Sequence, residues 1–361
     1  MLHVTNGESV AQTLRQTKLG GVAVSWIDVL HDGPVPAGVP DDELSRIRAR
    51  YFESLGWTSY AEGLHGLQLR NLQMLNYPQH EEIVLWFEHD LFDQLQLIQV
   101  LEWLSRQELD KVKVSLINIG EFAGVTPFHG LGQLNVEELE SLFPKRKPVT
   151  YEQYELAKEA WTAFRSPTPA QLIALVQSKP DELPFLQTAL RRWLEEFPAI
   201  ENGLPRSCRH LLEAASEGLK NRRELYLEAR DRESAIFMAD ASAFWRINSL
   251  ANSTPRSALK RDGDFYSVTD YGRALLANKS DWLRDRDRRR SGATATCAAA
   301  RWSFPAWCNP DAPKRESTRC RGCTGSRSDH SRLDRKLRKQ ASLTDATHPP
   351  MRARWRDRSA G

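Results

Sequence analysis

Four short apolar runs, each separated from the next by polar turns and helical spacing, limit what this chain can fold into. They are LHVT (Leu2 to Thr5), GVAVSWID (Gly21 to Asp28), EEIVLWFEH (Glu81 to His89) and KVKVSLINIG (Lys111 to Gly120). Runs of this length, rich in β-branched residues, read as buried strands. Between them Ser9 can cap a helix through about Thr17, with Val10 and Leu14 on its inner face. Two helices follow the Pro/Gly-rich loop HDGPVPAGVP, and Leu91 to Arg106 repeats apolar residues at helical spacing. Such alternation predicts an α/β fold, a Rossmann-like, mostly parallel sheet with flanking helices over residues 1–148. No internal repeat is visible, and strand order is not legible in a single sequence.

Downstream, Tyr151 to Pro198 is helical in pattern, with turns at SPTP and SKPDELP, and forms a connector over 149–200. Over 201–283, helical stretches at Ser207–Glu217, Asn221–Glu228 and Ala241–Leu250 precede ALKRDGDFYSVTDYGRALL. An Asp-Gly hairpin leading into a helix near Thr269 completes the layout of a winged-helix-like domain.

The net charge of +3 hides a division. Residues 284–361 carry 20 Lys+Arg against 8 Asp+Glu, whereas the preceding 283 residues carry 30 against 39. The body is therefore acidic and offers no electrostatic support for nonspecific nucleic-acid binding. Four of the five cysteines lie in the tail, and the single C-x-x-C (Cys320, Cys323) is a poor zinc signature. The tail has no periodicity; it reads as disordered and basic, or as the product of a reading frame lost near Asp285. No apolar run reaches membrane-span length and the N-terminus has no leader-like pattern, so no membrane partner and a cytoplasmic location are expected.

Polar residues collect at the predicted strand ends. His3, Asn6, Gly7 and Ser9 lie in or after the first strand, and His31 and Asp32 follow the second. Glu88, His89, Asp90 and Asp93 follow the third, while Glu121 and His129 lie beyond the fourth. In an open parallel sheet these ends share one edge, where ligands bind. Each residue also has a structural role available to it. Asp90 can be an N-cap, Asp93 can complement the helix dipole, and His31-Asp32 and Asn6-Gly7 can be turns. His129 can be a satisfied core histidine. Glu88 and His89 are harder to explain this way, because a carboxylate beneath helices needs a partner.

Their expected convergence suggests general acid–base chemistry, with Glu88, His89 and His129 moving protons and Asp32 orienting. His3, Asn6, Gly7, Ser9, His31, Asp93 and Glu121 would contact the ligand, and NGES suits an anion such as a phosphate. No closely spaced histidine pair indicates a metal, and no G-x-S-x-G elbow indicates a covalent nucleophile. No cofactor is legible. In the winged-helix-like segment, Arg246 and Arg256 are the residues placed to meet DNA, a thin set given that phosphate contacts dominate affinity.

The blocks LHVTNGES, WIDVLHDGPVP, LWFEHDLFDQLQL and IGEFAGVTPFHGLGQL resemble the signatures of the bacterial family called domain of unknown function 1835. LPFLQTALRRWLEEFP through DYGRALLANKSDW is similar to the companion domain that often follows it, so the resemblance spans about residues 2–283. It implies no established activity. Glu8 stands where the family pattern has Asp, and the closing segment expected after Trp282 is missing.

Two functions follow as expectations. One is a cytosolic protein binding a small anionic, nucleotide or phosphate-containing ligand at the strand edge, acting as an acid–base hydrolase or transferase. The alternative is a ligand-sensing transcriptional regulator or protein-interaction module, meeting DNA or protein through the winged helix.

Overall fold

The computed structural model describes residues 1–109, 111–253 and 256–287, with side chains through Asp285. The tail expectation, both as disorder and as a lost frame, lies outside these residues. The first strand and helix are β1 (Leu2–Thr5) and α1 (Glu8–Leu14), followed by β2 (Val22–Ser25), α2 (Asp41–Ser54) and α3 (Tyr60–Leu75). Next come β3 (Glu82–Glu88), α4 (Leu91–Leu104), β4 (Lys113–Ile119), α5 (Val136–Leu142) and the two-residue β5 (Lys147–Pro148).

These strands form one sheet in the order β2-β1-β3-β4-β5. The first four are parallel, and β5 runs antiparallel to β4. The chain thus steps outward from β1 in one direction to β2 and in the other to β3. That reversal opens a crevice beyond the carboxyl ends of β1 and β3. It is the place where Asn6 and Glu88 stand.

Side-chain alternation assigns the two faces. Ile83, Leu85 and Phe87 of β3 enter one core with Leu2 and Val4, while Val84 and Trp86 enter the opposite core with Val10 and Leu14 of α1 and Leu139 of α5. Both faces are covered, which is why β3 reads as an unbroken apolar run. Helix α4 is enclosed as well: eleven of its fourteen residues are buried, so it lacks a polar face. Its three buried glutamines are used. Gln94 donates to the Glu88 carbonyl at 2.5 Å, Gln96 donates to the Asp28 carbonyl at 3.1 Å, and Gln99 accepts from Trp26 Nε1 at 2.8 Å.

Over α4 lie α6 (Tyr151–Phe164) and α8 (Leu186–Leu194), with α7 (Ala170–Ser178) between them in sequence. The remaining elements are α9 (Arg206–Ser216), β6 (Lys220–Asn221), α10 (Arg222–Arg230), α11 (Asp240–Ala251), β7 (Leu259–Asp262), β8 (Phe265–Val268), α12 (Asp270–Leu276) and α13 (Trp282–Asp287). They form a second core containing Leu211, Leu225, Ile247 and Tyr266, with a small antiparallel sheet ordered β6-β8-β7. Gly263, at φ 59°, makes the turn of the β7–β8 hairpin.

One local expectation is corrected. Ser9 does not cap α1: Gly7 is the N-cap residue, without a side-chain hydrogen bond, and Ser9 lies within the first turn. The second strand is also shorter than its apolar run, ending at Ser25. Among the described residues no helix is long and apolar enough to cross a membrane.

Candidate functional site: a buried carboxyl trio beneath a cleft

The end of β3 feeds directly into α4, so Glu88, Asp90 and Asp93 are brought together by local chain geometry. Asp90 caps α4, accepting from the Asp93 amide at 3.0 Å. Asp93 folds back so that one oxygen accepts from the Glu88 amide at 2.8 Å, and the other accepts from Asn6 Nδ2 at 2.8 Å. Glu88 Oε1 accepts from Asn6 Nδ2 at 3.4 Å and from the Leu131 amide at 2.5 Å. All three carboxyls are buried, and oxygen atoms of the three lie within 4.8 Å of one another.

Backbone sterics bring the Leu131 amide this close. Gly130 adopts φ 147°, and a Cβ built there would stand 2.0 Å from Glu88 Oε2. Only glycine permits that approach.

Among the described residues no ion pair reaches the trio. Burial, and then the charge of Asp90, pushes the Glu88 carboxyl up to about 8. Burial raises Asp90 to about 7. Asp93 is raised by burial and by the charges of Glu88 and Asp90. The physical content is that three acids this close cannot all ionise without a cation, so the group retains a proton near neutral pH. The same three oxygens are spaced to share a metal ion. Their amide and carboxamide donors, however, already occupy several of the lone pairs an ion would use.

Glu88 also lines an open cleft of about 410 Å³, together with Asn6, Gly7, Ser9, Phe92 and His129. Five residues expected at the site, Asn6, Gly7, Ser9, Glu88 and His129, therefore do share one cleft wall. Glu8 lines it too, with its carboxylate held by Arg15 at 2.5 Å and Ser25 at 2.6 Å. Despite its partial burial, those contacts hold Glu8 below the usual carboxylate range. Asp93 sits beneath the wall, fully buried.

His89, expected as a proton-transfer residue, does not line the cleft. Its ring stacks on Phe128 at 6.3 Å and meets Phe185 edge-on at 5.9 Å. Burial lowers its proton affinity, and the neighbouring His129 lowers it further. Among the described residues its Nδ1 has no hydrogen-bond partner. Glu121 is exposed and does not line the cleft.

Three other expected site residues belong elsewhere. His3 is a core histidine: its Nε2 donates to the Gly20 carbonyl at 2.9 Å, and its Nδ1 accepts from Trp86 Nε1 at 3.1 Å. Both ring nitrogens are thereby used inside the core, and His3 does not line the cleft. His31 is buried between Phe237 at 5.0 Å and Phe92 at 5.9 Å, and burial lowers it to about 4, leaving it neutral. Asp32 is also buried; despite that desolvation, Arg246 holds it well below the usual carboxylate range.

Arg246 is in turn corrected as a DNA contact. It donates to both oxygens of Asp32, at 2.6 and 3.2 Å, and is buried with it. A guanidinium committed to an internal ion pair has no face for a phosphate or base. Arg256 remains exposed, over the Tyr271 ring at 5.8 Å.

Sequence reasoning missed Gly130, the Leu131 amide and Phe92. The only available signal was the glycine pair in PFHGLGQ, which does not announce which strand it will meet. No family model, curated protein or solved structure matches the chain. The resemblance to domain of unknown function 1835 therefore rests on the quoted sequence blocks alone.

Proposed function

We propose that the cleft binds a small anionic, phosphate-containing ligand and carries out acid–base hydrolysis or transfer on it, with Glu88 as the general acid. The observation that carries this reading is a buried Glu88 carboxyl, raised to about 8, on the wall of an open cleft. A carboxylic acid kept protonated at neutral pH can donate to an anionic oxygen and then to a departing group. An ionised Glu88 beside Glu8 would instead repel such a ligand. Retention of the proton therefore governs binding and catalysis together. Asn6 orients Glu88, and exposed His129, which lines the same cleft, supplies a base. Asp90 and Asp93 act by keeping Glu88 protonated and are positioning residues. A location in the cytoplasm belongs to the same reading.

The experiment is a hydrolysis screen of nucleotides and sugar phosphates, with wild type and Glu88→Gln compared across pH. A turnover that declines above about pH 8 and is abolished in a folded Glu88→Gln variant supports the reading. Undiminished turnover in that variant refutes it.

A second reading is a ligand-sensing regulator or protein-interaction module. It takes α9, α10, α11 and the β7–β8 hairpin as a winged helix. What favours it is a chain of contacts from the cleft: Phe92 on its wall touches His31, which touches Phe237 ahead of α11, and Asp32 beside His31 pairs with Arg246 of α11. With Arg246 inward, a protein partner fits this reading better than DNA. A salt-sensitive gel shift with duplex DNA, lost in Arg256→Ala, would reverse that preference.

A further inference from the structure

A second cavity, of about 250 Å³, lies away from the strand-end cleft, among β2, α2, α3, α4 and α6. Its apolar walls include Trp26, Trp103, Trp161 and Leu44. Exposed Asp41, Asp42 and Leu75 form its solvent side. The charged groups of the lining, with one exception, are all engaged in ion pairs. Asp28 pairs with Arg48 at 2.9 Å, Asp42 with Arg46 at 2.9 Å, and Arg106 with both Asp41 at 3.0 Å and Glu102 at 3.1 Å.

Arg70 is the exception. It is 7% exposed, and its guanidinium lies 4.1 Å from the centroid of the Trp26 ring. Nε and Nη2 both donate to the neutral Asn71 Oδ1, at 3.1 and 3.0 Å. Among the described residues, Nη1 has no hydrogen-bond partner and no carboxylate forms an ion pair with this side chain. A buried guanidinium nitrogen without an acceptor is costly, since Nη1 has lost hydration with nothing in its place. Burial lowers it to about 10, partly offset by the more distant Asp28 and Asp41.

We propose that this cavity is a binding site for a small planar monocarboxylate, its carboxylate on Arg70 Nη1 and its ring or chain against the tryptophans. Nη1 of Arg70 lacks an acceptor, and a monocarboxylate supplies one while adding the smallest negative charge to a lining that already holds four acids. A dianionic phosphate would add repulsion from the four acids already present. The tryptophan walls favour a flat apolar body over a sugar. Arg70 supplies directional donors for the carboxylate, and apolar walls with few convergent polar groups are the usual form of a small-molecule site. The site is separate from the Glu88 cleft and does not depend on the chemistry proposed there.

The test is a tryptophan-fluorescence titration of the full chain with benzoate, its neutral analogue benzamide, and inorganic phosphate. The expected result is a saturable change with benzoate, at least about tenfold weaker binding of benzamide, and no saturable change with phosphate; tenfold corresponds to about 1.4 kcal/mol. Arg70→Gln should abolish benzoate binding. If that variant does not fold, Asn71→Asp serves instead. It keeps Arg70 and gives it an internal carboxylate, and it should weaken benzoate about tenfold. Equal binding of benzamide, preference for phosphate, unchanged affinity in the folded variant tested, or no saturable benzoate binding because the cavity holds water alone would each overturn the proposal.

Discussion

Asp32 and Arg246, 214 residues apart, form a doubly hydrogen-bonded ion pair that ties the loop after β2 to α11. Glu196 lies 3.6 Å from the same guanidinium, so the pair belongs to a buried network. Removing one member of such a pair leaves the other charged and dry, and costs about 3–5 kcal/mol. Arg246→Ala should therefore lower stability by that amount in a urea melt. Replacing both partners, as Asp32→Asn with Arg246→Met, should recover part of the loss. A variant as stable as wild type would show that the pair is solvent-accessible.

Gly130 and Gly132 provide a paired steric test. Alanine at 130 would place a Cβ 2.0 Å from Glu88 Oε2 at φ 147°, whereas alanine at 132 would meet only the Ser9 side chain, at 3.5 Å or more. Gly130→Ala should destabilise by about 1–3 kcal/mol and disturb Glu88 titration. Gly132→Ala should fall within about 0.5 kcal/mol of wild type. Thermal melts of the two variants, read together, check this.

His3 should behave as a structural residue. His3→Ala leaves Trp86 Nε1 buried without its acceptor, a loss of about 1–3 kcal/mol in addition to any lost packing. Ligand binding at the Glu88 cleft, measured on the folded fraction, should not change. A selective loss of binding would return His3 to the site.

The trio makes stability depend on pH in a defined direction. Glu88 is raised in the folded protein from an ordinary 4.5 to about 8. Its contribution is fully present below about 4.5 and is lost as pH rises through about 8. Asp90 and Asp93 act in the same direction. Asp32 acts oppositely, being held low, and matters only in strong acid. Wild type should lose melting temperature between pH 5 and 9, and Glu88→Gln, which imitates the protonated side chain, should flatten that decline. Equal slopes would mean that Glu88 ionises normally.

The sequence made the strand–helix alternation legible because period-two and helical spacing are local properties. The convergence of Asn6 with Glu88 followed from a general rule about parallel strand ends, and it holds here because β1 and β3 are neighbours. Other features depended on packing partners that local pattern does not name. His3 and His89 carry similar local signals, yet one is paired inside the core and the other stands near the cleft. Local pattern points Arg246 toward DNA, and its burial against Asp32 and Glu196 has no local signal. Arg70 gave no signal at all. It lies on an ordinary helical stretch, and its unused nitrogen becomes apparent only when α2, α4 and α6 close around it.

The central claim is that Glu88 holds a proton at neutral pH, and site-resolved carboxyl titration by carbon-detected NMR, using Glu88→Gln to assign its resonance, tests it directly. The account predicts a Glu88 midpoint near 8, with biphasic behaviour shared with Asp90 and Asp93. A single ordinary midpoint near 4.5 for Glu88 would contradict it.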